Sequence, residues 1–92
     1  MKKLKINIKG RVQGVGFRYT TKMVADELGV TGAVWNEDDG SVSIEAVADD
    51  AVMKLFLQRL KASPSPSGKV SEMTVEEAPE LKEGKKFNVS YR

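Results

Sequence analysis

The sequence predicts an α+β domain in which two helices cover one face of an antiparallel sheet. Apolar and polar residues alternate with period two in several short segments, and two other segments repeat with helical spacing. A turn signal at residues 37–40 separates two of the alternating segments. The 92 residues suffice for one domain with a single modest core, and a composition of 40% hydrophobic and 30% charged residues is ordinary for a soluble protein.

A change of period marks the first strand and the first helix. Leu4, Ile6 and Ile8 alternate with polar residues, which is typical of a half-buried strand. From Phe17 onward the apolar positions follow one side of a helix, and Gly29 is expected to end it. These positions are Phe17, Met23, Val24 and Leu28.

The next two strands are expected to form a hairpin. Residues 30–36 are predicted to be one strand, and Val42, Ile44 and Ala46 define the other. Between them, residues 37–40 (Glu-Asp-Asp-Gly) form a tight-turn signal. Three adjacent carboxylates in such a turn are more typical of a solvated hairpin than of a divalent cation site.

The second half of the chain completes the pattern. Asp49 or Asp50 is expected to cap a second helix, and the serine- and proline-rich residues 63–68 are expected to follow it as a polar loop. Val52, Leu55, Phe56, Arg59 and Leu60 recur in this helix with helical spacing, and Met53 fits a core position. Val70, Met73 and Val75 indicate a fourth strand with an irregular start, and residues 87–91 a short final one.

The order βαββαβ, followed by a short C-terminal strand, predicts a ferredoxin-like sandwich. Right-handed crossovers would place the first and third strands at the centre of the sheet. The same connections would bring the segment after the first strand beside the end of the second, next to Asn36. Fold alone does not identify function, because this sandwich also occurs in RNA-binding and regulatory domains.

Two residue types are missing altogether. The chain has no cysteine, which excludes disulfides, thiolate nucleophiles and cysteine metal sites. It has no histidine, the commonest general base and a common metal ligand. No apolar run approaches the ~18 residues of a membrane span and no signal-peptide pattern is present, so we expect a cytoplasmic protein.

Charge is distributed unevenly along the chain. Residues 1–25 contain seven Lys and Arg and no acidic residue, whereas the remainder has eight basic and thirteen acidic residues. A basic N-terminal quarter would attract an anionic ligand. The alternative is a solvated, lysine-rich strand face, which accounts for Lys2, Lys3 and Lys5.

Residues 10–18, Gly-Arg-Val-Gln-Gly-Val-Gly-Phe-Arg, lie where the first strand gives way to the helix. Glycine lets backbone N–H groups turn to one side, and a helix N-terminus adds free donors and a positive dipole end. Arg18 would supply a planar guanidinium suited to two phosphate oxygens. The spacing matches neither a Walker loop nor a dinucleotide fingerprint. From spacing alone, a phosphate cradle and a purely conformational turn remain open.

Asn36 is the best candidate for positioning an attacking group. It ends the second strand, where its amide could hold a water in line with a bound phosphoryl group. The alternative is that Asn36 simply begins the hairpin turn, a position that asparagine often fills.

Such a site suits an easily expelled leaving group. An alkyl phosphate releases a basic alkoxide and needs a general acid or a metal, whereas an acyl phosphate releases a carboxylate whose conjugate acid has a pKa of about 4. Phosphoryl transfer makes little demand for a base, so preorganised donors and one arginine can supply most of the stabilisation.

Two motifs resemble the signatures of the acylphosphatase family. The first is residues 10–18; the second is Gly-Ala-Val-Trp-Asn at 32–36 followed by Asp-Gly-Ser-Val at 39–42. The resemblance covers essentially the whole chain and implies one acylphosphatase-like domain over residues 1–92. It implies that Arg18 binds phosphate and that Asn36 orients the water. The candidate phosphate-binding residues are Gln13, Gly14, Val15, Gly16, Phe17 and Arg18.

The chain departs from the family at two positions. The family usually has an aromatic residue where this chain has Ala33, and a polar or basic residue where it has Trp35. Strand alternation places both on one face, opposite to Asn36. We expect Trp35 to supply the aromatic packing, with an effect on rate and local stability rather than on the reaction.

The leading prediction is a metal-independent acylphosphatase without cofactors. Its expected partners are a small-molecule acyl phosphate and inorganic phosphate, with no nucleic acid or membrane, and its expected state is a monomer. One alternative is a non-catalytic phosphate-sensing or accessory module, because similar domains are fused to a carbamoyl-transfer hydrogenase-maturation protein; the lack of an extra domain favours the free-standing enzyme. An RNA-binding domain would need exposed aromatics on its central strands, which the first strand lacks.

Overall fold

The computed structural model describes residues 1–91, which form seven elements joined by short connections. In chain order they are β1 (Lys2–Arg11), α1 (Phe17–Leu28), β2 (Thr31–Asn36), β3 (Val42–Ala48), α2 (Asp50–Lys61), β4 (Lys69–Glu77) and β5 (Phe87–Val89). This is the predicted βαββαβ order with its additional C-terminal strand. Within residues 1–91, no helix has the length and apolar character needed to cross a membrane.

The strands form one five-stranded sheet in the order β4-β1-β3-β2-β5. β1 and β3 lie inside the sheet, as the crossover argument predicted, and the β1/β3, β1/β4 and β2/β3 pairs are antiparallel. β5 instead pairs in parallel with β2, with Gly32 opposite Phe87 and Val34 opposite Val89. The sheet is therefore mixed, and the parallel pairing carries the C-terminal residues to the same sheet edge as Asn36.

Both helices pack on one face of the sheet. The apolar residues of β1 and β3 that point to this face are buried, among them Ile6, Ile8 and Ile44. They form one cluster with Phe17 of α1 and with residues of α2. The α2 members are Met53, Phe56 and Leu60. The two-layer α+β sandwich is confirmed.

Two apolar residues that were expected in the core lie outside it. Met23 is 57% exposed and Leu55 is 50% exposed. Met23 lies about 120° around α1 from Phe17, at 3.6 residues per turn, so it cannot share the buried stripe. On α2, Leu55 adjoins the buried position Phe56, about 100° away from it, and faces solvent.

The helix ends position the segments around them. Asp49 rather than Asp50 caps α2, because its carboxylate accepts a hydrogen bond from the Val52 N–H at 2.9 Å. Gly29 ends α1 in the left-handed conformation, with φ of 81°. At the other end of α1, Gly16 is the N-cap, also left-handed, and it contributes no side-chain cap. The N-terminus of α1 thus opens directly onto the glycine loop (residues 12–16), which joins β1 to α1.

Candidate active site

An open cavity of about 500 Å³ lies where the glycine loop, the end of β2 and the C-terminal segment meet. Most of the residues singled out in the sequence line it. They are Gln13, Gly14, Gly16, Phe17, Arg18 and Asn36. The fold therefore brings the two sequence motifs together, as the strand order required.

The glycine loop has the backbone geometry of an anion-binding turn. Gly14 and Gly16 both have positive φ angles, 73° and 76°, whereas Val15 between them does not. Left-handed glycines in such a loop allow successive N–H groups to point toward one side of the chain. The first turn of α1 contains no acidic residue, and its leading N–H groups face the same region. This end of the cavity is rich in donors and carries a positive dipole.

Two side chains, one within the glycine loop and one distant in sequence, anchor the loop. The Gln13 amide donates to the backbone carbonyls of Glu37 and Ser41, both at 2.8 Å. On the other side, the Ser65 hydroxyl donates to the Val15 carbonyl at 2.5 Å. Ser65 is only 2% exposed, although residues 63–68 were predicted to be a polar loop. The loop is held between the β2–β3 hairpin and the segment after α2.

Arg18 reaches the C-terminal segment. One guanidinium nitrogen donates to the Ser90 carbonyl at 3.3 Å, and the guanidinium carbon lies 4.6 Å from the centroid of the Tyr91 ring. No carboxylate among residues 1–91 forms an ion pair with Arg18. Because an arginine has five N–H donors, the guanidinium retains most of its capacity for an anionic ligand.

The other cations of the basic N-terminal quarter are mostly paired. Lys2, Lys5 and Lys9 form ion pairs with Glu77, Glu80 and Glu72, respectively. Lys22 lines the cavity, but its ammonium donates to the Asp26 carboxylate and to the Phe87 carbonyl, both at 2.9 Å. The lysines of β1 thus serve the sheet surface, as the alternative interpretation held, and the positive charge offered to the cavity is mainly that of Arg18.

The Asn36 side chain is not engaged in the hairpin turn. Its Oδ1 atom is buried, and no group among residues 1–91 donates a hydrogen bond to it. The turn is instead closed by Asp39, whose carboxylate accepts from the N–H and the hydroxyl of Ser41 at 2.9 and 2.6 Å, and by the left-handed Gly40. These two hydrogen bonds hold the pKa of Asp39 below its ordinary value, the hydroxyl bond being the larger cause. A buried amide oxygen without a protein partner is suited to hold a water.

Val15 is the one predicted loop residue that does not line the cavity. Its side chain packs against the hydrophobic core, and its carbonyl is held by Ser65. Any contribution of Val15 to anion binding is therefore through its backbone N–H. The same limit holds for Gln13, because both N–H bonds of its amide are used by the hairpin.

A second open cavity, of about 510 Å³, lies on the opposite face of the sheet. It is lined by Trp35 and by three carboxylates, those of Glu37, Glu45 and Glu76, against the single cation of Lys5. Such a surface repels phosphate, so the cavity beside Arg18 is the better anion site. Trp35 is 9% exposed and lies on the face opposite to Asn36, as strand alternation predicted.

Sequence reasoning missed the supporting residues. Ser65, Ser90 and Tyr91 were not singled out, although Ser65 stands out as a serine flanked by two prolines. Within residues 1–91, no group of three or more acidic side chains is arranged to hold a metal ion. The groups that the cavity offers to an anion and a water are backbone donors, the Arg18 guanidinium and the buried amide of Asn36.

Comparisons with known proteins agree with this architecture. The Acylphosphatase family model matches residues 4–89. An acylphosphatase of Enterococcus faecalis is 58% identical over 89 residues, which are 97% of this chain and 98% of that protein. The crystal structure of acylphosphatase from Bacillus subtilis is 38% identical, with a TM-score of 0.93, and covers 99% of this chain and 100% of its own.

A similar domain occurs in a much larger protein. The crystal structure of full-length HypF, in its phosphate- and nucleotide-bound form, is 31% identical with a TM-score of 0.87. The match covers 97% of this chain but 12% of that one. Family model, full-length relative and solved structures agree: the chain belongs to the acylphosphatase family.

Proposed function

We propose that this member of the acylphosphatase family hydrolyses acyl phosphates to a carboxylate and inorganic phosphate without a metal ion. Arg18 and the backbone N–H groups of residues 13–18 bind the phosphoryl group. Asn36 orients the attacking water. The single observation that carries the proposal is the buried, unpartnered Oδ1 of Asn36 in the same cavity as Arg18.

Phosphoryl binding uses donors that are fixed before substrate arrives. The left-handed Gly14 and Gly16 and the open N-terminus of α1 hold the N–H groups in place, so little reorganisation is needed as charge develops on the equatorial oxygens. Arg18 adds a permanent charge and a planar fork for two of those oxygens.

The reaction then proceeds by in-line displacement. The water oxygen forms a bond to phosphorus while the bond between phosphorus and the acyl oxygen breaks, and the water's protons pass to phosphate oxygens or solvent. The bonding electrons leave with the carboxylate, which is stable at neutral pH because its conjugate acid has a pKa of about 4. No general acid is required, which suits a cavity lined by neither carboxylate nor histidine.

A non-catalytic accessory module is the less favoured alternative. Such a module needs a phosphate cradle but has no use for a buried, unpartnered amide oxygen suited to hold a water. The full-length similarity to a relative that is itself an acylphosphatase also favours the hydrolase.

Replacing Asn36 with Ala tests the proposal most directly. If Asn36 holds the water, kcat for benzoyl phosphate should fall by roughly 10²-fold, by analogy with the loss of one preorganised donor. The competitive inhibition constant of phosphate should change far less. Asn88→Ala, an exposed asparagine on β5, is a control for general effects on the cavity rim. Near-normal turnover of Asn36→Ala would refute the mechanism.

Metal independence is tested on the same assay. We expect wild-type turnover to be unchanged by EDTA and simple alkyl phosphate esters to be left intact. Activity that disappears with EDTA and returns with Mg²⁺ would contradict the proposal.

We further propose that residues 1–92 act as one domain, as a monomer and in the cytoplasm. The cavity is lined by residues of a single chain, and Lys2, Lys5, Lys9 and Lys22 form ion pairs within that chain. Size-exclusion chromatography with light scattering and fractionation of the source cells would test these statements.

A further inference from the structure

Gln13 makes an unusual connection between the glycine loop and the hairpin that carries Asn36. Both N–H bonds of its side-chain amide are used, one to the carbonyl of Glu37 and one to the carbonyl of Ser41, each at 2.8 Å. Glu37 directly follows Asn36, and Ser41 directly precedes Val42, the residue paired with Asn36 across the β2–β3 ladder. The Gln13 amide therefore donates hydrogen bonds to both sides of the β2–β3 hairpin, next to Asn36.

These hydrogen bonds are not needed to satisfy the carbonyls. The Ser41 carbonyl also accepts from the Glu37 N–H at 2.9 Å, and the Glu37 carbonyl also accepts from the Gly40 N–H at 3.2 Å. Both acceptors would keep a partner if the Gln13 amide were removed. Stabilising the hairpin alone is therefore a poor explanation for a side chain that reaches across 24 and 28 residues of sequence.

We propose that Gln13 is a positioning residue for the hydrolytic reaction. Its side chain fixes the distance between the glycine loop and the Asn36 amide. This inference rests on the proposed function. Gln13 belongs to the glycine loop, which binds the phosphoryl group in the proposed mechanism. Its side chain donates to the base of the hairpin that carries Asn36. A displacement of about 1 Å between the two would disturb in-line attack without removing any phosphate donor.

The first test separates turnover from binding. Gln13→Met removes both donors with little change in length. We expect kcat to fall by roughly 10- to 10²-fold, the range that a misplacement of about 1 Å can cause. The competitive inhibition constant of inorganic phosphate should stay within about twofold, because Arg18 and the loop N–H groups remain. Gln58→Met is a matched control, since Gln58 is exposed on α2 and should change neither constant.

A double-mutant cycle tests whether Gln13 acts through Asn36. In the Asn36→Ala background, Gln13→Met should lower kcat by less than about twofold, because the group it positions is already gone. An equal loss of kcat in both backgrounds would overturn the proposal. So would a raised phosphate inhibition constant with normal kcat, which would make Gln13 part of the phosphate cradle only.

Gln13→Glu supplies a second variant of nearly identical size. At neutral pH its carboxylate opposes two carbonyl oxygens and cannot donate, and these oxygens raise its pKa above the usual value of about 4.3. On acidification the carboxyl gains one donor. The ratio of variant to wild-type kcat should therefore rise as the pH is lowered from 7 to 5. A ratio independent of pH would overturn the proposal even if Gln13→Met failed to fold.

A measurement that does not depend on activity distinguishes failure of the Gln13 positioning role from failure of the proposed hydrolase function. In nuclear magnetic resonance spectra, the side-chain amide signals of Asn36 should shift or broaden in Gln13→Met and remain unchanged in Gln58→Met. Unchanged signals in Gln13→Met would refute the positioning role whatever the activity. A wild-type protein that hydrolyses no acyl phosphate would refute the proposed function instead, while the Asn36 signals still decide whether Gln13 positions Asn36.

Discussion

The guanidinium of Arg18 lies over the face of the Tyr91 ring, with 4.6 Å between the guanidinium carbon and the ring centroid. The parallel pairing of β5 with β2 brings Tyr91 to this edge of the sheet, beside the end of the strand that carries Asn36. The ring is 83% exposed, so it covers the arginine without being part of the core. The contact restrains Arg18, the proposed phosphate-binding charge, from the C-terminal side.

Tyr91→Ala should weaken phosphate binding by a small, measurable factor. A cation–π contact at an exposed site contributes about 0.5–1 kcal/mol, which corresponds to roughly a two- to fivefold increase in the inhibition constant of phosphate. Tyr91→Phe keeps the ring and should behave as wild type. Inhibition measurements on both variants check this. A loss in Tyr91→Phe equal to that in Tyr91→Ala would assign the effect to the hydroxyl instead.

Arg18→Gln should lower both phosphate affinity and kcat/KM. Loss of a charged hydrogen-bond partner costs about 1.5–3 kcal/mol, so each quantity should change by at least about tenfold. Arg18→Lys keeps the charge but lacks the planar fork and should recover only part of the loss. Arg59→Gln, on the exposed face of α2, is the control. Wild-type phosphate affinity in Arg18→Gln would exclude Arg18 from the binding site.

The main features of the fold and of the site could be predicted from the sequence because they depend on local patterns. Period-two alternation identified β1, and helical spacing identified α1. Right-handed crossovers then placed the glycine loop beside Asn36, and the hydrogen bond between Gln13 and the Glu37 carbonyl is consistent with that juxtaposition. These inferences need only neighbouring residues and general rules of chain connection.

The supports of the site could not be predicted in this way. Ser65 contacts Val15 across 50 residues, and Arg18 contacts Ser90 across 72. Both are single hydrogen bonds from a side chain to a backbone carbonyl, which leave no periodic pattern in either segment. Met23 departs from its predicted core position for a different reason: its angle on α1 turns it away from the buried stripe toward solvent.

Ser65→Ala should destabilise the protein and loosen the glycine loop. Removing a buried hydroxyl that donates to the Val15 carbonyl costs about 1–3 kcal/mol, and each kcal/mol lowers the thermal midpoint of a domain of this size by about 4–8 °C. The phosphate inhibition constant should rise, because the loop N–H groups are less well fixed. Ser67→Ala, exposed in the same segment, should leave both quantities unchanged. A normal midpoint in Ser65→Ala would show that the hydroxyl does not anchor the loop.

The hairpin turn should make stability depend on pH through Asp39. Hydrogen bonds from Ser41 lower the pKa of Asp39 in the folded state, so the ionised form of Asp39 stabilises the folded protein. Its stabilising contribution is therefore present above the unfolded-state pKa of about 3.9 and is lost as the pH falls through the lower, folded-state pKa. Asp39→Asn keeps the acceptor oxygen but removes the charge and should lower the thermal midpoint at pH 7.

The difference in thermal midpoint between wild type and Asp39→Asn should shrink as the pH is lowered from 6 through 4 to 3, since protonation removes the same charge from the wild type. Asp38→Asn, the exposed neighbour in the same turn, controls for the net charge of the hairpin. Thermal midpoints measured by circular dichroism across this pH range test this expectation. A difference that is constant with pH, or that widens in acid, would mean that the carboxylate charge of Asp39 does not stabilise the turn that follows Asn36.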